Sequence, residues 1–462
     1  MLQDPVPGLL SRATELLEAE FGELPSLAHS PTSEAESAAI AQVLEATAHR
    51  LADNYPYFHP LYAGQMLKPP HPIARAAYAL AMTINPNNHA RDGGRASSEM
   101  EIEAVAAIAQ MFGWSEFLGH LTSSGTIANL EALWVAGQLA PGRRILASEQ
   151  AHYTHKRISS VLKLEFATIP ADRSGRMNLE SLETELRKGN VGTVVVTLGT
   201  TAIGAVDPLH HVIALQKPYG FRIHVDAAYG GYFKLISGVL DDSARRAFAA
   251  IDQADSIVVD PHKHGLQPYG CGCVLFRDPA VGRFYKHDSP YTYFTSKQLH
   301  LGEISLECSR AGASAVALWA TQQLLPLTPG GEFAQGLAQG RAAALELATR
   351  LRNDPARRFQ LPAAGPPELD IVVWKLSADT PKTASQLAQQ IFDACATRDL
   401  HLALVELPLA WFGPAKGVHS ADSETSGSVT CLRSVLMKPE HLEWLDKIWD
   451  RFSASCAEVL GE

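Results

Sequence analysis

The chain has 462 residues, of which 46% are hydrophobic and 19% are charged, a composition typical of a globular protein with a large core. A net charge of −10, spread without long runs, argues against nucleic acid or an anionic membrane as the main partner. No secretory signal or apolar membrane span is visible, and six cysteines without a Cys-x-x-Cys pair indicate reduced thiols, so we expect a cytoplasmic protein.

The first part of the chain, residues 1–95, predicts an N-terminal helical segment. Apolar spacing predicts helices over 11–21 and 74–82, and the Pro-rich stretch 55–72 between them is irregular. Serines followed by acidic residues mark the start of the next helix at Ser97.

Residues 96–325 alternate between apolar strands and helices, which predicts a mostly parallel sheet covered on both faces. Helices are expected at 180–187 and 210–217, and strands at 144–148, 165–169, 193–198, 222–226, 256–260 and 272–276. Such sheets bind ligands beyond the carboxyl ends of their strands. Several polar side chains follow those ends and are therefore expected to meet in one crevice.

The last part, residues 326–462, reads as a smaller C-terminal α/β domain. It follows a helix at 311–325 and begins with a helix at 333–350. Further strands are expected at 369–376, 402–405 and 429–437, with helices at 384–397 and 440–460 and a Gly/Ser-rich surface loop at 413–427. The predicted fold class is α/β, with a large and a small domain.

A lysine and an aspartate each stand at the end of a predicted buried strand. Lys263 lies in Asp-Pro-His-Lys-His-Gly, and Asp226 ends the run Ile-His-Val-Asp. An amine that forms a Schiff base and a carboxylate that keeps a pyridine nitrogen protonated are what a pyridoxal phosphate (PLP) enzyme requires. Ala228 is small enough to let a flat ring lie against the backbone. The alternatives are a solvated lysine and an aspartate that caps a helix.

Other residues would complete such a site. Ser124, Gly125 and Thr126 precede an apolar helix, whose free N–H groups favour an anion, although simple helix capping is the alternative. His152 follows a strand and could stack on the cofactor ring or be a core histidine. Thr200, in Leu-Gly-Thr-Thr, could contact the cofactor or be a turn residue.

Together these motifs resemble the group II PLP-dependent amino-acid decarboxylases, which include aromatic-amino-acid, tyrosine, glutamate, aspartate and cysteine-sulfinate decarboxylases. The resemblance extends from about His59 to about His441. It implies the fold type I architecture of PLP-dependent transferases, an L-amino acid as the small-molecule substrate, and a homodimer with its active site at the interface.

The resemblance also implies a role for each residue. Lys263 would be the Schiff-base lysine, preceded by His262, and Asp226 the partner of the pyridinium nitrogen. Ala228 would pack against the cofactor ring and His152 would stack on it. The phosphate would be bound by Ser124, Gly125 and Thr126, with Thr200 as a further cofactor contact. Gln65 lies in a segment expected near the substrate. Arg433 matches a strand arginine that can grip a substrate carboxylate at two points, with a structural salt bridge as the alternative.

The chain departs from the family pattern at two places. Many relatives have asparagine where Asp260 stands, and an acid beside the phosphate would be repulsive, so we expect its side chain to turn away or bond backbone. The aromatic segment 287–296 occupies the place of the catalytic mobile loop without matching it cleanly. Tyr291 and Tyr293 are both candidates for returning a proton to the substrate carbon, with Lys263 and His152 as alternatives.

The expected reaction is therefore decarboxylation of an L-amino acid to its amine and CO2. Tyr57, Phe58, Tyr62 and the 291–294 cluster favour an aromatic substrate slightly, whereas Gln65 resembles decarboxylases of acidic substrates. An aldehyde synthase, a carbon–carbon lyase and a non-catalytic PLP-fold protein are alternatives. A zinc site built from His262, His264, Cys271 and Cys273 has little support, because its spacing is not a standard one, and no metal is expected.

Overall fold

A computed structural model of the chain describes residues 6–22, 33–89, 91–286, 305–363, 365–412 and 427–461. The predicted loop tyrosines Tyr291 and Tyr293 lie outside the described residues, as do residues 413–426 of the expected surface loop. Within the described part, no helix is long and apolar enough to cross a membrane.

Among the residues that the structure describes, four α-helices precede the first strand. They are α1 (Val6–Glu20), α2 (Glu34–Leu51), α3 (Pro72–Ile84) and α4 (Arg95–Met111). Helix α2, which the sequence analysis did not predict, starts at the cap Ser33, whose hydroxyl accepts a hydrogen bond from the Glu36 N–H. Neither α1 nor α2 buries a residue in this chain, so both present apolar side chains to solvent.

The larger sheet contains seven strands among the described residues, in the order β1-β7-β6-β5-β4-β2-β3. They are β1 (Leu118–Thr122), β2 (Arg144–Ser148), β3 (Phe166–Ile169), β4 (Val191–Thr197), β5 (Arg222–Asp226), β6 (Ser256–Val259) and β7 (Gly272–Phe276). Neighbours from β3 to β6 pair in parallel, and β7 is antiparallel to both β6 and β1. The predicted mostly parallel α/β fold is confirmed; β1 was missed.

Helices connect these strands and cover the sheet. They are α5 (Gly125–Leu139), α6 (Thr154–Val161), α7 (Leu179–Arg187), α8 (Leu209–Tyr219) and α9 (Asp242–Ala249). The central strand β4 is buried at every position, which explains why its residues 194–196 are consecutive valines rather than alternating with exposed polar residues.

The smaller sheet is antiparallel, with strand order β10-β11-β9-β8. After α10 (Gly312–Leu324) and α11 (Glu332–Arg352), it is formed by β8 (Phe359–Gln360), β9 (Ile371–Leu376), α12 (Pro381–Ala396), β10 (Ala403–Pro408), β11 (Ser428–Val435) and α13 (Leu445–Leu460). The last helix begins later than predicted, because a short 3-10 turn at Pro439–His441 precedes it.

The N-terminal segment is joined to the smaller sheet. The Ala63 N–H donates to the His401 carbonyl at 2.9 Å, and the Val435 N–H donates to the Ala63 carbonyl at 2.8 Å. Leu61 and Ala63 are buried in the core of that sheet. The division of the chain at residues 95 and 325 stays a prediction, and this pairing places residues 61–65 beside the strand that carries Arg433.

Candidate active site

Strand register brings the expected residues to one edge of the larger sheet. Asp226 pairs with Thr197 of β4 on one side and with Val258 of β6 on the other. The segments that leave these three parallel strands therefore begin side by side. They carry Gly199–Thr201, Asp226–Tyr229 and Asp260–Lys263, respectively.

A cavity of about 190 Å³ lies at this edge. Its lining includes eight of the predicted site residues, namely Ser124, Gly125, Thr126, His152, Asp226, Ala228, His262 and Lys263, together with Asn129, Thr154, Thr197, Gly199, Thr201, Tyr229 and Asp260. Lys263 is the most accessible of the charged groups, with 23% of its side chain exposed. The structure thus brings together an amine, an ionisable carboxylate and the start of a helix.

Asp226 is held as a buried carboxylate. Its Oδ2 accepts a hydrogen bond from His155 Nε2 at 2.8 Å, and its Oδ1 accepts one from the Ala228 N–H at 3.1 Å. Burial alone would raise the pKa of Asp226. The hydrogen bond and charge of His155, with the charge of Lys263, outweigh burial and hold that pKa well below its usual range.

His155 and two residues behind it were missed by the sequence analysis. Asn129 Nδ2 lies 3.5 Å from Asp226 Oδ2, and its Oδ1 accepts a hydrogen bond of 2.8 Å from His224 Nε2. Strand alternation could have found His224, because it lies two residues before Asp226 on the same face of β5. His155 follows His152 by three residues across the start of α6, a spacing that places both near one end of the helix.

Asp260 does not turn away, so that expectation was wrong. Its Oδ2 lies 3.0 Å from Lys263 Nζ and 3.5 Å from His262 Nε2, and its side chain is 4% exposed. The physical reason is the ion pair, since a buried carboxylate is stabilised by the nearby ammonium group. The main-chain carbonyl of Asp260, rather than its side chain, bonds the backbone: it accepts a hydrogen bond from the Lys263 N–H at 2.9 Å.

The start of α5 forms the opposite wall. Ser124 is the N-cap and its Oγ accepts from the Ile127 N–H at 3.4 Å, so the capping alternative holds for this hydroxyl. Capping does not exclude anion binding, because the first N–H groups of any helix lack partners within it. An added Cβ at Gly125 would lie 2.5 Å from both carboxylate oxygens of Asp260, so a larger residue there would force the Asp260 side chain to move.

His152 and Thr200 occupy different surroundings. His152 lines the cavity, its Nδ1 contacts the Thr154 hydroxyl, and burial lowers its pKa. Thr200 is buried behind the lining, where its Oγ1 accepts from the Ala205 N–H at 3.0 Å, and Thr201 reaches the cavity instead. A direct contact between Thr200 and the cofactor stays a prediction.

Gln65 and Arg433 meet each other. Arg433 Nη1 donates to Gln65 Oε1 at 3.2 Å, Nη2 to the Thr201 carbonyl at 2.7 Å, and Nε to the Ala202 carbonyl at 3.0 Å. Because Thr201 lines the cavity, the guanidinium lies directly behind its wall. These three partners of Arg433 are two backbone carbonyls and the side-chain amide oxygen of Gln65, and none of the three is a carboxylate that would neutralise the guanidinium charge.

The residues proposed for a zinc site do not form one in the described part of the chain. No group of three or more His, Cys, Asp or Glu side chains there is arranged to hold a metal ion. His262 instead donates its Nδ1–H to the Cys271 carbonyl at 2.7 Å, and burial raises the pKa of both Cys271 and Cys273.

Comparison with known proteins gives the site its context. Residues 32–376 match the family model described as the pyridoxal-dependent decarboxylase conserved domain. The chain belongs to this family. It is a PLP-dependent amino-acid decarboxylase, as the resemblance implied.

Curated relatives agree with this assignment. An L-tyrosine decarboxylase of Enterococcus faecium is 27% identical over 414 residues, covering 68% of this chain and 67% of the relative. A probable L-tyrosine/L-aspartate decarboxylase of Methanothermobacter thermautotrophicus is 29% identical over 321 residues, covering 66% of this chain and 84% of the relative.

Solved structures of similar fold include enzymes with different outcomes. A Catharanthus roseus tryptophan decarboxylase has a TM-score of 0.73 and 15% identity, covering 98% of this chain and 96% of that one. A Rhodiola rosea 4-hydroxyphenylacetaldehyde synthase also has a TM-score of 0.73, with 17% identity and coverage of 95% and 91%. At these identities the likeness shows the fold alone.

The residues of the decarboxylase fit PLP. Asp226 is ionised and fixed by two hydrogen bonds, as a partner of a protonated pyridine nitrogen must be. Lys263 presents an amine to the same cavity, and the start of α5 supplies N–H groups for a phosphate. The Asp260 carboxylate opposes an anion there, and a second carboxylate, that of Glu307, accepts a hydrogen bond from the Ser123 N–H at 2.8 Å.

Proposed function

We propose that this decarboxylase acts on an aromatic L-amino acid of the tyrosine type. The observation that carries the proposal is the charge of the cavity lining. Among the described lining residues, Lys263 is the only lysine or arginine. Lys263 is assigned to the cofactor and Arg433, behind the cavity wall, to the α-carboxylate, so the described lining offers no further cation for an acidic side chain, whereas an aromatic ring needs none.

The names of the relatives support the same class. The Enterococcus faecium relative acts on L-tyrosine by its name, and the Methanothermobacter relative is named for both L-tyrosine and L-aspartate. Tyr57 and Tyr62 give no independent support, since their rings pack on each other at 4.9 Å. Phe58 lines a different cavity, beside Lys68.

Each cavity residue has a proposed task. PLP, when bound, accepts the electron pair that the departing carboxylate leaves behind. Lys263 holds the cofactor through Nζ, and Asp226 keeps a proton on the pyridine nitrogen because His155 keeps Asp226 ionised. His152 covers the ring, and Ala228 leaves room for it.

Arg433 is the proposed carboxylate-binding residue, with Gln65 beside it. A guanidinium binds a carboxylate at two points, and the Nη1–Gln65 contact of 3.2 Å is the one that a substrate would most easily replace. The carbonyls of Thr201 and Ala202 hold the other two nitrogens and fix the plane of the group. Tyr291 and Tyr293 remain proposed proton donors outside the described residues.

A substrate panel tests the proposal. We expect CO2 release from L-tyrosine, L-phenylalanine or L-tryptophan to exceed that from L-aspartate and L-glutamate by at least about tenfold in kcat/KM, as expected for an unpaired buried carboxylate. Faster release from L-aspartate would overturn the aromatic assignment. Product analysis separates amine from aldehyde plus ammonia, the outcome of an aldehyde synthase.

A cytoplasmic homodimer is the proposed assembly. Helix α2 leaves Ile40, Val43 and Leu44 more than half exposed, a row that a second copy could cover. Sedimentation of the wild type should give twice the chain mass, and a Val43→Asp, Leu44→Asp double variant should sediment as a monomer. A wild type that stays monomeric at micromolar concentration would contradict the proposal.

A further inference from the structure

Asp260 places a carboxylate where the proposed function puts a phosphate. Both of its carboxylate oxygens lie 2.5 Å from the position that a Cβ on Gly125 would take, at the first residue of α5. Asp260 is 3% exposed, and its Oδ1 has no hydrogen-bond partner. A buried, unpartnered oxygen is costly and therefore points to a partner that arrives with the cofactor.

Among the described residues, the titratable groups near Asp260 include a single cation. Those close enough to act on it are Lys263, His262, His152, Tyr232, Tyr269, Cys271 and Cys273. Burial lowers the pKa of both histidines and raises those of the tyrosines and cysteines, so all six are uncharged near neutral pH. Lys263, at 3.0 Å, is the remaining charge.

This cation is Lys263, the same amine that is proposed to form the covalent bond with the cofactor. When Lys263 Nζ bonds the aldehyde carbon of the cofactor, the aldehyde oxygen leaves as water with two of the ammonium protons, and Lys263 no longer provides a free ammonium to pair with Asp260. The carboxylate and a phosphate dianion would then share the start of α5, where the helix dipole supplies only about half a positive charge. Two anions this close in a buried site hold a proton between them, as paired carboxylates do.

We propose that Asp260 shares a proton with the cofactor phosphate, and that this pair takes up the shared proton from solution when PLP binds as a phosphate dianion. The inference rests on the proposed role of the α5 start as the phosphate cradle. Asp260 is then a positioning residue, which donates its O–H to a phosphate oxygen. Affinity for PLP falls as pH rises, because the shared proton becomes harder to supply.

Phosphorus NMR of the holoenzyme tests this directly. At about pH 8, where free phosphate esters are dianions, we expect the wild-type signal at the position of a protonated phosphate. In Asp260→Asn the signal should lie at the dianion position, because the amide donates without sharing a proton. The ratio of PLP dissociation constants, wild type over variant, should rise by up to about tenfold per pH unit.

Asp278→Asn is the matched control. It removes an exposed carboxylate beyond the end of β7, away from the cavity, and should keep the wild-type signal. A wild-type phosphate that is a dianion at every pH, like that of Asp260→Asn, would overturn the inference. A wild type without any bound phosphorus signal would instead count against the PLP site itself, so the two failures are distinguishable.

Discussion

Lys263 is the residue on which the cofactor assignment depends. Lys263→Ala should abolish the visible absorbance of the bound cofactor that borohydride reduces, because no other lysine lines the described cavity. The thermal unfolding midpoint should change little, since the side chain is partly exposed and its loss leaves no large void. Absorbance that persists in the variant would show that another amine holds PLP.

His155 is the residue that keeps Asp226 ionised. His155→Gln should retain a hydrogen bond but lose the charge, whereas His155→Leu should lose both. Because the pKa of Asp226 then rises, the acid limb of the kcat profile should move to higher pH, further in the leucine variant.

We expect kcat to fall roughly 10-fold in His155→Gln and at least about 100-fold in His155→Leu, in line with loss of a charge-assisted hydrogen bond. His211→Gln, at an exposed position on α8, serves as the control. If both limbs of the pH profile stay in place while kcat falls, His155 acts by packing rather than through the ionisation of Asp226.

Arg433 links three parts of the fold, because its side chain joins β11 to residue 65 of the N-terminal segment and to the loop after β4. Arg433→Lys keeps the charge but loses the planar fork, so KM should rise roughly 10- to 100-fold. The cofactor absorbance should be unchanged. Arg350→Lys, in a surface pair with Glu346, is the control; an equal KM for both variants would contradict substrate binding by Arg433.

A buried carboxyl between the two sheets is expected to make the free energy of unfolding depend on pH. Glu368, in the segment before β9, binds Arg176 Nε at 2.9 Å and the Val206 N–H at 3.1 Å. Burial, opposed by Arg176, raises the pKa of Glu368 from 4.5 to about 7. A carboxyl whose pKa is higher in the folded state makes its full contribution to stability at pH values below its unfolded-state pKa. That contribution is lost as the pH rises through the folded-state pKa.

Glu368→Gln tests this contact. The advantage of the wild type over the variant in free energy of unfolding should shrink from about pH 5 to about pH 8, by on the order of 1–3 kcal/mol. Urea unfolding at several pH values measures it, with exposed Glu346→Gln as the control. An advantage that grows with pH would mean that the ion pair with Arg176 dominates instead.

The sequence by itself determined the fold class, the cofactor and most of the cavity. Those follow from local rules, since apolar runs define strands, and the residues after parallel strands must meet at one edge. It missed β1, whose short run could not be separated from the helix that follows, and α2, which has too few core contacts to show a clear apolar face.

Only the tertiary structure decided the partners of the site residues. The contacts of Asp226 with His155, of Asp260 with Lys263 and Gly125, and of Arg433 with Gln65 join residues from different elements. Such contacts depend on strand register and on side-chain direction, which local patterns do not carry. For that reason Asp260 was expected to turn away, whereas the fold directs it at the amine and at the helix start.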